Sequence, residues 1–391
     1  MKKRICVFTG SRAEYGLLRP LISALKEDGA FEVRLLVSGM HTEKQYGLTH
    51  QEIIKDGIAI DAMVRIMTRD NSTNGVARAM GKGIVEFVRI LSQWKPDLVV
   101  ILGDRFETLA MAQSAMLARV AIAHIHGGEA TYGAMDEAIR HAITKISHLH
   151  FTSTDEYRRR IIQLGEDPRR VFNVGALGID NIHQLKLMSR EEAQRQMGFC
   201  FKERNLLVTF HPVTLHPGQS RKQFQTLLNE LDCLKNTQLI FTKSNADMEG
   251  VEINGLIDKY VRSHQDKAVA FASMGQVVYL SALKWIDAVV GNSSSGIIEA
   301  PSFKIGTINI GDRQDGRVRA SSVIDCPATS AGIKRALRCL YSRGFQKKLP
   351  LVKNPYGREG AAQKIVAILR RQRPSGLLVK KFFNIKALSK G

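Results

Sequence analysis

LSQWKPDLVVILGD, residues 91–104, decides the fold class. Leu91–Trp94 ends a segment of helical period, Lys95-Pro96 marks a turn, and Leu98–Leu102 is an unbroken apolar run that stops at Gly103-Asp104. A short run that is apolar at every position is a strand buried on both faces, as a parallel sheet covered by helices requires. The same alternation continues in both directions. Strands are predicted at Arg4–Thr9, Glu32–Val37, Asp97–Leu102, Val120–Ile125, Leu149–Thr152 and Val171–Val174, then at Leu206–Phe210, Gln238–Thr242, Val269–Ala272, Ala288–Val290 and Thr307–Ile310. Helical segments fall between them at Leu17–Lys26, Gly81–Gln93, Glu107–Ala118, Asp136–Ile146, Glu156–Leu164, Lys222–Leu234, Gly250–Ser263, Val277–Ala282 and Ser294–Ala300. This is the pattern of an α/β protein with two Rossmann-like lobes facing across a cleft. A turn-rich crossing at Gly175–Asn181 divides them. The expected domains are 1–176, 177–362 and a basic tail, 363–391. Ligand is expected at the carboxyl ends of the strands.

The chain has 391 residues, long enough for two cores, with 44% apolar and 24% charged residues. Its five cysteines are scattered without a CxxC, which suits free thiols in a reducing cytoplasm. The basic opening MKKR precedes an apolar run too short for a signal peptide, and no stretch reaches the length of a membrane span. A cytoplasmic location is therefore expected. The formal charge is +20, and eight positive residues follow Glu359 with no acid among them. The excess favours anionic ligands without identifying one. Neither zinc-ligand spacing nor an RNA-binding aromatic signature is present, so nucleic acid is not an expected partner.

Polar motifs cluster just after the predicted strands. TGSRAEYG (9–16) sets Arg12 where a helix begins, either as a surface residue or facing a phosphate. LGDRFE (102–107) offers Asp104 and Arg105, with Asp104 either lining the cleft or capping the next helix. FHPVT (210–214) places His211 beyond a strand, structural or functional. GNSSSGIIEAP (291–301) opens a helix with three hydroxyls, more than a cap needs. Together with free backbone N–H groups these suit a diphosphate, with Glu299 toward ribose hydroxyls and Arg313 and Arg317 in the adjoining GDRQDGR. In HIHGGEATYGAMDEAIRH (124–141), His124 and His126 share one strand face, but no complete metal-ligand set follows. The paired Gly127-Gly128 is expected to let backbone approach a ligand and carry Glu129 into the cleft. Asp136 opens the next helix, with Arg140 one turn on and able to pair with it. Asp104, Glu129 and Asp136 suit general acid/base chemistry on a neutral substrate, with no metal and no cofactor.

The motifs GSRAEYG, LGDRFE, HIHGGE, DEAIRHAITK, FHP, GNSSSGIIEAP and INIGDRQDGR, in this order, closely resemble the hydrolysing UDP-N-acetylglucosamine 2-epimerases of bacterial sialic acid synthesis. The resemblance runs from about Arg4 to Arg319 and more weakly to Ala362. It implies a glycosyltransferase-B-like fold, UDP-N-acetylglucosamine and UDP as ligands, and a homo-oligomer, dimer or tetramer. By position it implies nucleotide-binding roles for Arg12, His211, Asn245, Ser293, Ser294, Glu299 and Arg313, with the Met274 backbone at the base. It implies catalytic roles for Asp104, Glu129 and Asp136, with Arg105 beside Asp104 and His211 at the diphosphate. Relatives acting on UDP-linked diacetamido sugars or on GDP-linked N-acetylglucosamine share the motifs. The chain differs from some relatives at Gly16 and Ala130–Tyr132 and in its tail, features that bear on the sugar rather than the reaction. A sugar-nucleotide glycosyltransferase and a basic binding protein with structural carboxylates are the rival readings. The tail from about Gly376 is expected to be a solvated basic segment dispensable for chemistry, with docking of its LLVKKFF pattern on a membrane surface or a partner as the alternative.

Overall fold

In the structure, a computed structural model, residues 2–68, 70, 72–132, 135–212, 218–244 and 248–385 are described. The chain forms two compact units, one of residues 1–129, 135–181 and 357–391 and the other of residues 130–134 and 182–356.

The first unit holds a parallel sheet of β1 (Lys3–Thr9), β2 (Phe31–Val37), β3 (Ala62–Met63), β4 (Leu98–Leu102), β5 (Ala121–Ile125), β6 (Leu149–Thr152) and β7 (Val171–Asn173), in the order β3-β2-β1-β4-β5-β6-β7. The β4 run is buried throughout, as its composition requires. Leu98, Val100 and Leu102 join Ile5 and Val7 in one core layer, while Val99 and Ile101 join Cys6 and Phe8 on the opposite face. The strand order reverses between β1 and β4. The loops that leave their carboxyl ends, carrying Gly10–Arg12 and Gly103–Arg105, therefore diverge from adjacent strands and leave a crevice where they part.

The second unit repeats the design with β8 (Arg204–Thr209), β9 (Thr237–Thr242), β10 (Ala268–Phe271), β11 (Ala288–Gly291), β12 (Gly306–Ile310) and β13 (Val323–Cys326), all parallel, in the order β10-β9-β8-β11-β12-β13. Its reversal lies between β8 and β11, so His211 and Asn292 follow neighbouring strands. Gly291 ends β11 at φ +132°, and a Cβ there would sit 1.9 Å from the Thr209 carbonyl oxygen. Only glycine lets the two backbones come this close.

The expected boundaries are corrected. Gly175–Asn181 is not a plain crossing, because helix Leu177–Gln184 begins inside it and the first unit runs to Asn181. The chain then returns to the first unit at Gly357, so the expected 363–391 tail is part of that unit. Helix Ala361–Arg371 buries Ala361, Ala362, Ile365, Val366 and Leu369 in the same core layer as Leu18, Leu21 and Leu25 of helix Arg12–Glu27. Its N-terminus is held by a distant carboxylate. Asp180 accepts from the backbone N–H groups of Gly360 (2.7 Å), Ala361 (3.0 Å) and Ala362 (2.7 Å), the orphan donors that every helix start must satisfy.

The segment after Gly376 is also not free. Leu377 is buried in the core, and Lys380 reaches Glu166, which Lys145 (2.6 Å) and His150 (3.0 Å) also contact. Burial pushes the Glu166 carboxyl up, but hydrogen bonds from His150, Lys145 and Lys380 outweigh it and hold it at about 2. Its stabilising contribution is fully present above the ordinary value of 4.5 and is lost as pH falls toward about 2. A chain ending at Gly376 is expected to lose about 2–5 kcal/mol of stability at neutral pH through Leu377 and Lys380. In urea melts, the Lys380 share of that difference shrinks as pH drops through this window.

Candidate active site

Arg140 organises the carboxyl end of the first sheet. Its side chain is 1% exposed, and a guanidinium this deeply buried must be neutralised and hydrogen-bonded. It donates to the Glu129 carbonyl (2.9 Å), to the Glu137 carboxylate (2.6 Å) and to the Asp104 carboxylate. Three pieces of chain thus meet on one cation: the loop after β4, the loop after β5 and helix Met135–Ile146. Asp104 is thus paired with Arg140 and is not the helix cap. Arg105 occupies the cap position of helix Phe106–Leu117 without a side-chain cap bond. On its own helix Arg140 pairs with Glu137. Asp136 sits in the first turn of the same helix and is half-buried.

Glu129 is buried and accepts from Ser153 Oγ at 3.0 Å, and His126 Nδ1 lies 3.7 Å from the same oxygen. The two histidines do not share a strand face. β5 ends at Ile125, and His126 follows in the left-handed region at φ 64°, which breaks the alternation. His124 is fully buried between the Gly103 carbonyl (2.8 Å) and Thr144 Oγ1 (3.3 Å), and burial pushes its imidazole down to about 3. It is a neutral structural residue. The paired glycines sit in crowded surroundings. A Cβ on Gly127 would lie 2.9 Å from the His124 ring and 3.1 Å from Ile161, and one on Gly128 would lie 2.5 Å from the Tyr157 carbonyl oxygen. Packing against His124 and helix Asp155–Gln163 is by itself enough to require glycine here. Among the described residues, no group of three or more His, Cys, Asp or Glu side chains could hold a metal ion.

Two further acids surround Arg105. Glu107 accepts from it at 2.9 Å and 3.2 Å. Glu14 accepts from Gly10 N at 2.7 Å with one oxygen and lies 4.0 Å from Arg105 with the other, which is buried without a hydrogen-bond partner among the described residues. Burial pushes the Glu14 carboxyl up to about 7, Arg105 opposes this, and Glu107 and Asp104 add to it. Arg12 opens helix Arg12–Glu27 behind the capping Ser11, and its side chain is half exposed, 4.0 Å from Glu52.

In the second unit, Asn292 locks the two switch-point loops together. Its side chain accepts from His211 N (2.7 Å) and donates to the His211 carbonyl (2.8 Å). Arg313 (2.9 Å) and Gln314 (2.8 Å) both donate to the Asn292 carbonyl. The structure thereby brings His211, Arg313 and the serine loop together. Burial, and secondly the Arg313 charge, push His211 down to about 4, so its imidazole is neutral at pH 7 with Ser244 Oγ 3.3 Å from Nδ1. Ser293 caps helix Ser294–Ile298 by accepting from Ser295 N, and Ser295 Oγ accepts from Tyr279. The helix is shorter than expected and closes at Glu299, its C-cap residue. Met274 is nearly buried ahead of helix Gly275–Leu283. Asn245, like Val213 and Thr214 of the FHPVT motif, lies outside the described residues.

The sequence reading missed Glu14, Glu137, Ser153 and Asn292. Asn292 stood in view inside GNSSSG, where the serines drew attention from it. Glu14 carried no signal beyond its place in SRAEYG, because burial alone makes it unusual.

The family model described as UDP-N-acetylglucosamine 2-epimerase matches residues 23–370. The chain is 38% identical over 346 residues to the GDP/UDP-N,N'-diacetylbacillosamine 2-epimerase (hydrolyzing) of Campylobacter jejuni, covering 88% of this chain and 89% of that protein. It is 39% identical over 369 residues to polysialic acid biosynthesis protein P7 of Escherichia coli, covering 94% of each. The crystal structure of UDP-GlcNAc 2-epimerase from Neisseria meningitidis, bound to UDP-GlcNAc, matches with a TM-score of 0.82 at 18% identity, over 95% of this chain and 100% of that one. That likeness supports the two-lobed, glycosyltransferase-B-like fold class.

The raised Glu14 carboxyl has a stability consequence. The folded state holds a proton that the unfolded chain releases near 4.5, so this contribution is lost as pH rises toward about 7. Glu14→Gln is expected to flatten that slope and to be more stable than the parent by about 1–3 kcal/mol at alkaline pH. Urea melts on either side of neutrality measure it, and parallel pH profiles for the two proteins would refute it.

Proposed function

This chain belongs to the UDP-N-acetylglucosamine 2-epimerase family, and we propose that it is a hydrolysing member, converting UDP-N-acetylglucosamine and water to N-acetylmannosamine and UDP. The observation that carries the reading is the group around Arg140: Asp104 and the Glu129 loop held by one buried cation, with Asp136 on the helix that supplies it. Epimerisation at C2 needs proton transfers on opposite faces of the sugar, and so at least two acid/base groups.

In the proposed reaction, a carboxylate takes the C2 proton while the C1–O bond to UDP breaks. The C2–H electrons become the C1=C2 bond of 2-acetamidoglucal, and the C1–O pair leaves on the diphosphate. Water then adds its oxygen to C1, giving up one proton to a carboxylate, and C2 is protonated on the opposite face. Ser293, Ser294 and Arg313 are assigned to the diphosphate, with Arg12 and Glu299 as further nucleotide ligands. His211, neutral at pH 7, serves as a hydrogen-bond donor to the leaving oxygen rather than as the base.

A second reading keeps the chemistry and changes the sugar to a nucleotide-linked diacetamido sugar. It is favoured by the 38% identity to the Campylobacter jejuni enzyme whose name states that substrate. Incubation with UDP-N-acetylglucosamine and, separately, with UDP-N,N'-diacetylbacillosamine, followed by identification of the released sugar, decides between them. A glycosyltransferase would release neither epimerised sugar.

In deuterated water the product is expected to carry deuterium at C2. Asp104→Asn, Glu129→Gln and Asp136→Asn are each expected to lower turnover by about 100-fold or more. A variant blocked in hydration releases 2-acetamidoglucal, and one blocked in elimination forms no glucal from the nucleotide sugar. Unlabelled product together with near-normal rates in all three variants would overturn the proposal. His211→Ala is expected to remain folded and to bind UDP about tenfold or more weakly, as read by calorimetry. Unchanged UDP affinity and turnover would return His211 to a structural role.

A further inference from the structure

The last described stretch of chain presents its apolar side chains outward from a fixed backbone. Val379, Phe382 and Ile385 are 71%, 65% and 54% exposed, and Leu378 and Phe383 are exposed beside them. The anchoring is specific. Leu377 is buried in the core of the first unit. Arg170 donates to the carbonyls of Gly376 (3.1 Å), Leu377 (2.9 Å) and Val379 (3.0 Å). Lys380 donates to the carbonyls of Lys145 (2.6 Å) and Ser147 (2.7 Å) as well as to Glu166, and Phe383 N donates to the Gly165 carbonyl at 2.9 Å. Gly165, at φ +87°, leaves room for the Phe382 ring, which a Cβ would meet at 2.4 Å. A strip held this firmly with its large apolar groups in water is a contact surface waiting for a partner.

We infer that residues 377–385 dock the protein onto an anionic lipid surface, the apolar side chains entering the headgroup boundary and the flanking cations meeting the lipid phosphates. Charge selects this occupant. No acid follows Glu359, and Arg371, Arg373 and Lys381 are exposed along the same segment. Apolar side chains flanked by exposed cations are the composition of a reversible interfacial anchor. A second copy of the chain meeting this strip symmetrically would set these cations against their own counterparts without a neutralising acid from the strip. Lys380 is engaged with Glu166 and takes no part in the attraction.

Co-sedimentation of the full chain with vesicles of equal parts phosphatidylglycerol and phosphatidylcholine, against vesicles of phosphatidylcholine alone, tests the inference. The protein is expected to bind the anionic vesicles and to leave the neutral ones in solution. Val379→Ser combined with Ile385→Ser, and separately Lys381→Glu, are each expected to weaken binding by about tenfold with unchanged melting temperature and turnover. Three outcomes would overturn the inference. One is no binding to anionic vesicles. Another is binding that survives the serine variant, which reduces it to the attraction of net charge. The third is a wild-type dimer, seen by sedimentation velocity, that the serine variant abolishes while vesicle binding persists.

Discussion

A guanidinium cannot be buried alone, and the first unit is arranged around that constraint. Taking Arg140 out of water is tolerable only where anionic and carbonyl oxygens surround it. The groups that do so come from the loop after β4, the loop after β5 and Arg140's own helix. Each of those loops leaves the carboxyl end of a parallel strand, where crossovers must begin. Sheet topology thus brings the loops near one another, and the buried cation sets which side chains face inward. The Asp104 carboxylate and the Glu129 backbone, both proposed to belong to the proton-transfer site, are held by a group that itself exchanges no proton.

The second unit solves a related problem with neutral groups. Its two switch-point loops are joined by a side-chain amide rather than an ion pair, and the cation there, Arg313, spends one donor on backbone. Burial, with Glu107 and Asp104 adding and Arg105 opposing, raises the Glu14 carboxyl in the first unit, and burial together with the Arg313 charge lowers the His211 imidazole in the second. Both groups are thereby pushed toward their neutral forms.

Strand periodicity was legible because buried parallel strands are apolar at every position, and all eleven predicted strands appear within two residues of their expected ends. β3 was not, since two residues carry no period. β13 was missed because its VIDC run is only half-buried and carries a central acid. The returning helix was hidden by its charge: Lys364, Arg370 and Arg371 drew the reading to a basic tail, although Ala361, Ala362, Ile365, Val366 and Leu369 hold a helical stripe. Of the residues singled out by type, Asp104 and Glu129 converge on one group, Arg140. The packing of the paired glycines against His124 and helix Asp155–Gln163 was not legible, because close backbone approach looks the same in sequence whatever the neighbour is. Glu14 stayed invisible because nothing in a sequence reports how little water a carboxylate sees.

The capping of a late helix by Asp180 also imposes an order on synthesis. Residues 182–356 are contiguous and contain a complete sheet, so they can fold as they leave the ribosome. The first unit cannot finish then, because the helix that covers Leu18, Leu21 and Leu25 is made only after the whole second unit. At elongation rates of about 5–20 residues per second that interval is on the order of tens of seconds. For its duration the nascent first unit presents an uncovered apolar face and an uncapped partner site at Asp180, which residues 360–371 close when they emerge.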